Sequence, residues 1–81
     1  MKLEETGLTF EDIKEKVNKY MIETYERMDF LAESAKDQYI YNEKGEKYLD
    51  FYAGIAVNSA GSCNEKVVKA VVDQAQTLMH T

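Results

Sequence analysis

The stretch Gln38-Tyr39-Ile40-Tyr41-Asn42-Glu43-Lys44-Gly45-Glu46-Lys47-Tyr48-Leu49-Asp50-Phe51-Tyr52 decides the fold. Its flanks, Gln38–Tyr41 and Lys47–Tyr52, are rich in the aromatic and aliphatic residues that suit a half-buried pleated surface. Between them, Asn42-Glu43-Lys44-Gly45 supplies polar turn chemistry. The pattern predicts a β-hairpin. Its tyrosines read as cross-strand packing, because no cluster of Lys or Arg accompanies them to hold a nucleic-acid backbone. The small apolar run Ala53-Gly54-Ile55-Ala56-Val57-Asn58 follows, and it suggests a short third strand in which Gly54 permits a bulge.

Toward the N-terminus the period changes to that of a helix. Thr9 is a good cap with Asp12 three residues on, and apolar side chains recur at Phe10, Ile13, Val17, Tyr20, Met21 and Met28. The spacing predicts a helix over 10–25, with Asp12/Lys16 and Glu15/Lys19 as acid-first i, i+4 pairs on its wet face. Residues 1–8, with Gly7 among them, read as a flexible, extended or frayed leader. Toward the C-terminus, Asn64 is a good N-cap and Glu65 complements the helix dipole at the first position. Val67, Val68, Val71, Val72, Ala75, Leu78 and Met79 then form one face of a helix over 64–79, and no Gly or Pro stop signal follows. The fold class is therefore α+β: an N-terminal helix, a small, mainly antiparallel sheet with a β-hairpin, and a C-terminal helix, in a single domain over 9–81.

Composition bounds the function. At 81 residues a chain buries roughly 60 to 65% of its unfolded surface, enough for one modest core but not for a core and a deep cofactor cleft. With ten Lys and Arg against fifteen Asp and Glu, a net charge of −5 and pI near 4.8, it offers no basic patch to nucleic acid or to an anionic membrane. No apolar stretch approaches the roughly 20 residues that span a bilayer, and Met1-Lys2-Leu3-Glu4-Glu5 carries no signal-peptide core. The expected location is cytoplasmic. The single Cys63 and single His80 can close neither a disulfide nor a structural zinc site, and they stand seventeen positions apart. Gly45, Gly54 and Gly61 do not make a phosphate loop before a helix. On its own residues the chain presents no catalytic constellation and no metal site.

One long run carries a resemblance. From Thr24-Tyr25-Glu26-Arg27, through Tyr39-Ile40-Tyr41-Asn42-Glu43-Lys44-Gly45-Glu46-Lys47-Tyr48-Leu49-Asp50-Phe51, to Ala53-Gly54-Ile55-Ala56-Val57-Asn58, Gly61 and Val67-Val68-Lys69-Ala70-Val71, the order resembles the N-terminal segment of class III aminotransferases. These are fold-type I pyridoxal-phosphate enzymes of the acetylornithine and 4-aminobutyrate type. The most specific part is Gly-x-x-Tyr-Leu-Asp-Phe followed by Gly-Ile-Ala-Val-Asn. Three places depart from the family pattern. Asn42 stands where an Asp is common, and Ala35 and Asp37 stand where a Gly-x-Gly pair is usual. Ala60-Gly61-Ser62-Cys63-Asn64-Glu65 replaces Leu-Gly-His-x-His-Pro, with Asn64 and Glu65 able to serve as N-cap and first helical residue.

The resemblance implies part of the small domain of an aminotransferase. The parent would transfer an amino group from an ω- or α-amino donor to a 2-oxo acid, with pyridoxal phosphate as its cofactor. It also implies that the cofactor-bearing lysine and the phosphate cradle lie outside this segment. Lys36, Lys44, Lys47, Lys66 and Lys69 match surface or helix positions of the pattern, so this chain alone is expected to be inactive and to bind no cofactor. Tyr25 matches a substrate-contacting tyrosine and Ile55 a position that shapes side-chain preference. Arg27 reads as a helix-end ion pair with Glu23, ahead of a role in orienting a substrate carboxylate. The implied partners are the remainder of the parent enzyme and a second subunit of a homodimer. Related aminomutases, decarboxylases and racemases share the pattern, and a non-catalytic α+β interaction module is the competing class.

Overall fold

The computed structural model describes all residues from Met1 to Thr81. In chain order the elements are α1 (Leu3–Thr6), α2 (Phe10–Tyr20), β1 (Ala32–Lys36), β2 (Tyr39–Asn42), β3 (Lys47–Leu49), α3 (Ala53–Ala56) and α4 (Glu65–Thr77). The architecture is α+β, as the alternating periods predict.

The sheet is antiparallel in the order β1-β2-β3. The expected hairpin is β2–β3, in register at Tyr39 with Leu49, Ile40 with Tyr48 and Tyr41 with Lys47. Its turn is organised by Asn42, the one buried residue of the chain at 7% exposure. Asn42 Oδ1 accepts the backbone N–H groups of Lys44 and Glu46 at 3.1 and 2.8 Å, and Nδ2 donates to Glu46 Oε1 at 2.9 Å. Gly45 completes the turn with φ +79°. Across the hairpin Lys47 Nζ lies 4.4 Å above the Tyr39 ring, whereas Tyr48 meets not a strand neighbour but Phe30, ahead of β1, edge-on at 5.0 Å.

The third strand is not where the apolar run suggests. It is β1, Ala-Glu-Ser-Ala-Lys, paired with β2 through a bulge between Ala32 and Ser34. Such a sequence has little intrinsic β preference; the free edge of β2 recruits it through backbone hydrogen bonds. Residues 53–58 form no strand. Asp50 Oδ1 accepts the N–H groups of Tyr52 and Ala53 at 2.8 and 2.9 Å. The chain then winds through Ala53, Gly54, Ile55 and Ala56, all with positive φ (53°, 61°, 66° and 59°), so α3 is a single left-handed turn.

Helix α2 begins as read, with reciprocal capping between Thr9 and Asp12: the Thr9 hydroxyl accepts the Asp12 N–H, and the Asp12 carboxylate accepts the Thr9 N–H at 2.8 Å. It stops at Tyr20 instead of Tyr25. Met21 is extended, and the chain turns back so that Asp29 reaches Lys14 Nζ at 2.8 Å. A helix continued to Asp29 would carry it about 22 Å along the axis from Lys14. The expected pairs Asp12/Lys16 and Glu15/Lys19 do not form ion pairs. Asp12 spends its carboxylate on the cap, and the ion pair on this helix is Glu11 with Lys14 at 2.8 Å. The leader holds one helical turn, α1, ended by Gly7 at φ +72° and tied to the sheet where Leu3 N–H donates to Glu33 Oε1.

Helix α4 has its predicted cap: Asn64 Oδ1 accepts the N–H groups of Lys66 and Val67 at 3.1 and 3.3 Å. It ends two residues short of Met79, at Thr77, where Gln74 Nε2 donates to the Leu78 carbonyl. The loop before it is clasped to the sheet by a two-bond bridge between Asp37 and Ser62, both bonds 2.8 Å. Gly61 permits that approach. A Cβ there would lie 3.1 Å from the Asp37 Cα and 3.2 Å from its carbonyl oxygen. Asp37 itself has φ +52°, a conformation Asp tolerates better than most residues. The position usually held by glycine in the resembled family thus keeps a glycine-like backbone.

No apolar residue of the chain is fully buried. Of the half-buried apolar side chains, Phe10, Ile13, Val17, Phe30 and Leu31 face one cavity between α2 and the segment that leads into β1.

Candidate functional site

Where α2 faces the returning segment 21–32, a cavity of about 970 Å³ opens to solvent. Its apolar wall includes Ile13, Val17, Met21 and Met28, and its rim carries Tyr25 and Arg27. The arrangement follows from the chain reversal after Tyr20, which lays Tyr25 across from the helix instead of along it. The Arg27 guanidinium stacks over the Tyr25 ring, 4.9 Å from its centroid. Arg27 makes no ion pair with Glu23, contrary to the helix-end reading, because the helix has already ended and the aromatic face is the nearer partner.

Lys14 closes one side of this cavity. Its ammonium contacts Asp29 and Glu11 and lies 4.7 Å above the Phe10 ring. The hydrogen bond it donates to Asp29, seconded by the one it donates to Glu11, raises its pKa above the ordinary lysine range. A lysine so held is a protonated clamp and a poor nucleophile. Asp29 escaped the sequence reading; its only local signal is an acid after an interrupted helical period.

Ile55, the second residue singled out, stands elsewhere. It sits on the left-handed turn α3, 73% exposed, and does not line the Tyr25 cavity. The structure therefore does not join Tyr25 and Ile55 in one pocket of this chain. Asp50, which positions that turn, was also missed, although an acid ahead of Ala-Gly is a recognisable side-chain-capped turn. Cys63 is exposed, His80 has no ligating neighbours, and no group of three or more His, Cys, Asp or Glu side chains converges on a metal-sized space. No helix is long and apolar enough to cross a membrane.

The family model for aminotransferase class-III matches residues 20–81. The acetylornithine aminotransferase of Methanocaldococcus jannaschii is 46% identical over 63 residues, covering 78% of this chain and 16% of that protein. The mitochondrial acetylornithine aminotransferase of Neurospora crassa is 44% identical over 61 residues, covering 75% of this chain and 13% of that protein. Among solved structures, an ornithine aminotransferase from Toxoplasma gondii, described with partial occupancy of PLP at its active site, aligns with TM-score 0.83 and 28% identity. That alignment covers 96% of this chain and 19% of the other. The acetylornithine aminotransferase of Elizabethkingia anophelis shares the fold with TM-score 0.84 at 24% identity, over 91% of this chain and 19% of the other. The chain thus spans about a sixth of the length of the first of these relatives.

The residues present do not fit pyridoxal phosphate by themselves. The lysine on the cavity wall is held protonated between two carboxylates. The N-terminus of α4 spends its Lys66 and Val67 N–H groups on Asn64, where a phosphate would need them. Lys36 donates to the Cys63 carbonyl at 3.0 Å, and Lys69 pairs with Asp73 on the helix surface.

Proposed function

The chain belongs to the class-III aminotransferase family, as an N-terminal segment, and we propose that it forms part of the small domain of a pyridoxal-phosphate-dependent aminotransferase. The parent enzyme transfers an amino group from an ω- or α-amino donor to a 2-oxo acid as a cytoplasmic homodimer. Within it, residues 1–8 are a leader and 9–81 one α+β unit. The segment supplies a wall of the substrate entrance, and the cofactor's chemistry belongs to residues outside it. On that wall Tyr25 offers an aromatic face, Arg27 an unpaired guanidinium for a substrate carboxylate, and Ile55 an apolar surface that limits the donor's side chain.

One observation carries this reading. The backbone matches an aminotransferase segment at TM-score 0.83 over 96% of the chain, yet not one apolar side chain is buried. A fold specified this closely without a core of its own is built to lie against something larger. The same observation argues against a free-standing interaction module, which needs its own core.

The test is a chimera of the Methanocaldococcus jannaschii acetylornithine aminotransferase in which residues 20–81 of this chain replace the matched segment. We expect it to bind pyridoxal phosphate and move an amino group from N-acetylornithine to 2-oxoglutarate. Replacing Tyr25 or Arg27 by Ala should raise KM for the donor more than it lowers kcat. A folded, cofactor-loaded chimera with no amino transfer refutes the proposal.

A further inference from the structure

Eleven residues, 21–31, lead from the end of α2 to the start of β1. Eleven extended residues reach about 36 Å, so connectivity alone does not fix where α2 lies against the sheet. Little else does. Within 22–30 one backbone hydrogen bond forms, from the Phe30 N–H to the Met28 carbonyl at 2.8 Å. After Met21, whose N–H still bonds to Val17, α2 meets the later chain through a single polar contact: the Lys14 ammonium donates to the Asp29 carboxylate at 2.8 Å.

Lys14 is prepared for that contact from its own helix. Glu11, three residues earlier, takes a second bond from the ammonium at 2.8 Å, and the ammonium lies over the Phe10 ring at 4.7 Å. Held on two sides, with its side chain 35% exposed, it gives up less rotamer freedom in reaching Asp29 than a free surface lysine would. Asp29 is on the same loop as Tyr25 and Arg27, two positions after the arginine. Those two side chains stack on each other at 4.9 Å, but no hydrogen bond or ion pair ties either of them to α2 or to the sheet. An ion pair whose acid is 79% exposed shifts an equilibrium only a few-fold. A loop with no other polar anchor is placed by a bias of that size.

We propose that Lys14 is a positioning residue for amino transfer: through Asp29 it holds the loop 22–29 against α2 and thereby sets where Tyr25 and Arg27 meet the amino donor. The proposal rests on reading Tyr25 and Arg27 as part of the substrate wall. It adds a role for α2, which lies ahead of the family-matched residues 20–81 in all but its last residue.

The chimera described above, extended to carry residues 1–81 of this chain, tests it in two ways. Trypsin should cut after Arg27 about threefold faster when Lys14→Met removes the ammonium, with the cut after Lys69 on α4 unchanged. Lys14→Arg should restore the slower rate. Lys14→Met and Asp29→Asn should each raise KM for N-acetylornithine about threefold at constant kcat, and the pair together no more than either alone. With Tyr25 and Arg27 both already replaced by Ala, neither should raise KM further. Equal cutting after Arg27 with and without the ammonium overturns the proposal. So does faster cutting at both sites, or a KM rise that persists once Tyr25 and Arg27 are gone. A chimera that loads the cofactor but moves no amino group refutes the function proposed above, and the rate of cutting after Arg27 then decides the role of Lys14 by itself.

Discussion

Asn42 shows how one atom can decide a turn. Its amide both accepts two backbone N–H groups and donates to the Glu46 carboxylate. Aspartate could keep the first role but not the second. Asn42→Asp should therefore cost about 1–2 kcal/mol near neutral pH, by losing a buried hydrogen bond and setting two carboxylates side by side. Hydrogen exchange at Lys44 and Glu46 reports the loss, and most of it should be recovered on acidification. Gly61 is constrained by space as well as conformation: its φ is +80° and the Asp37 backbone fills the place of a Cβ. Gly61→Ala should cost about 1–2 kcal/mol from the left-handed conformation alone, with crowding added. The protection of the Asp37 and Ser62 amides should fall with it. That a glycine belongs here could be read from the sequence; that the obstacle is Asp37, 24 positions earlier, could not.

Helix α2 carries its own pH window. The backbone N–H of Thr9, and then its side chain, hold the Asp12 carboxyl below the ordinary value of 3.8, while Asp29 and Glu11 hold Lys14 above 10.5. A lowered carboxyl stabilises the fold above its unfolded pKa, and that contribution disappears as pH falls through the folded value. A raised lysine stabilises below its unfolded pKa, and its contribution disappears as pH climbs through the folded value. Helix α2 should thus be steady between about pH 5 and 9 and loosen below about 4 and above about 10.5. Circular dichroism with the Thr9 and Asp12 amide shifts checks both limbs, and Asp29→Asn should weaken the alkaline one while leaving the acid one in place. Both α2 and α4 were legible at their starts, where Thr9 and Asn64 act within three residues. The end of α2 was not, since it depends on Asp29 coming back to Lys14.

The whole chain is short of partners more than of structure. Phe51, Tyr52, Ile55 and Val57 are all exposed, Phe51 by 92%. Free in solution the chain should self-associate weakly through this strip despite its net charge of −5, since an apolar patch of a few hundred Å² is usually an interface. Ile55→Asp should shift the equilibrium toward monomer without unfolding. At φ +66° a β-branched side chain is strained and Asp is tolerated better. Sedimentation across a concentration series decides it. A monomer at every concentration removes this strip as a self-association surface, and a chain unfolded by Ile55→Asp removes Ile55 from the substrate wall.

The sequence by itself determined what neighbours within a few residues can settle: the hairpin about Asn42 and Gly45, the caps at Thr9 and Asn64, the apolar arcs of both helices and the family pattern around Tyr48-Leu49-Asp50-Phe51. Tertiary structure decided the rest. It recruited Ala32–Lys36 as the third strand, because an open strand edge bonds any backbone. It ended α2 at Tyr20, where the chain turns back to bring Asp29 to Lys14, fifteen positions away. Periodicity records which side of an element is apolar, but it carries no information about what will cover that side. That is why the α4 face could be read as a core in the sequence and stands bare in the fold.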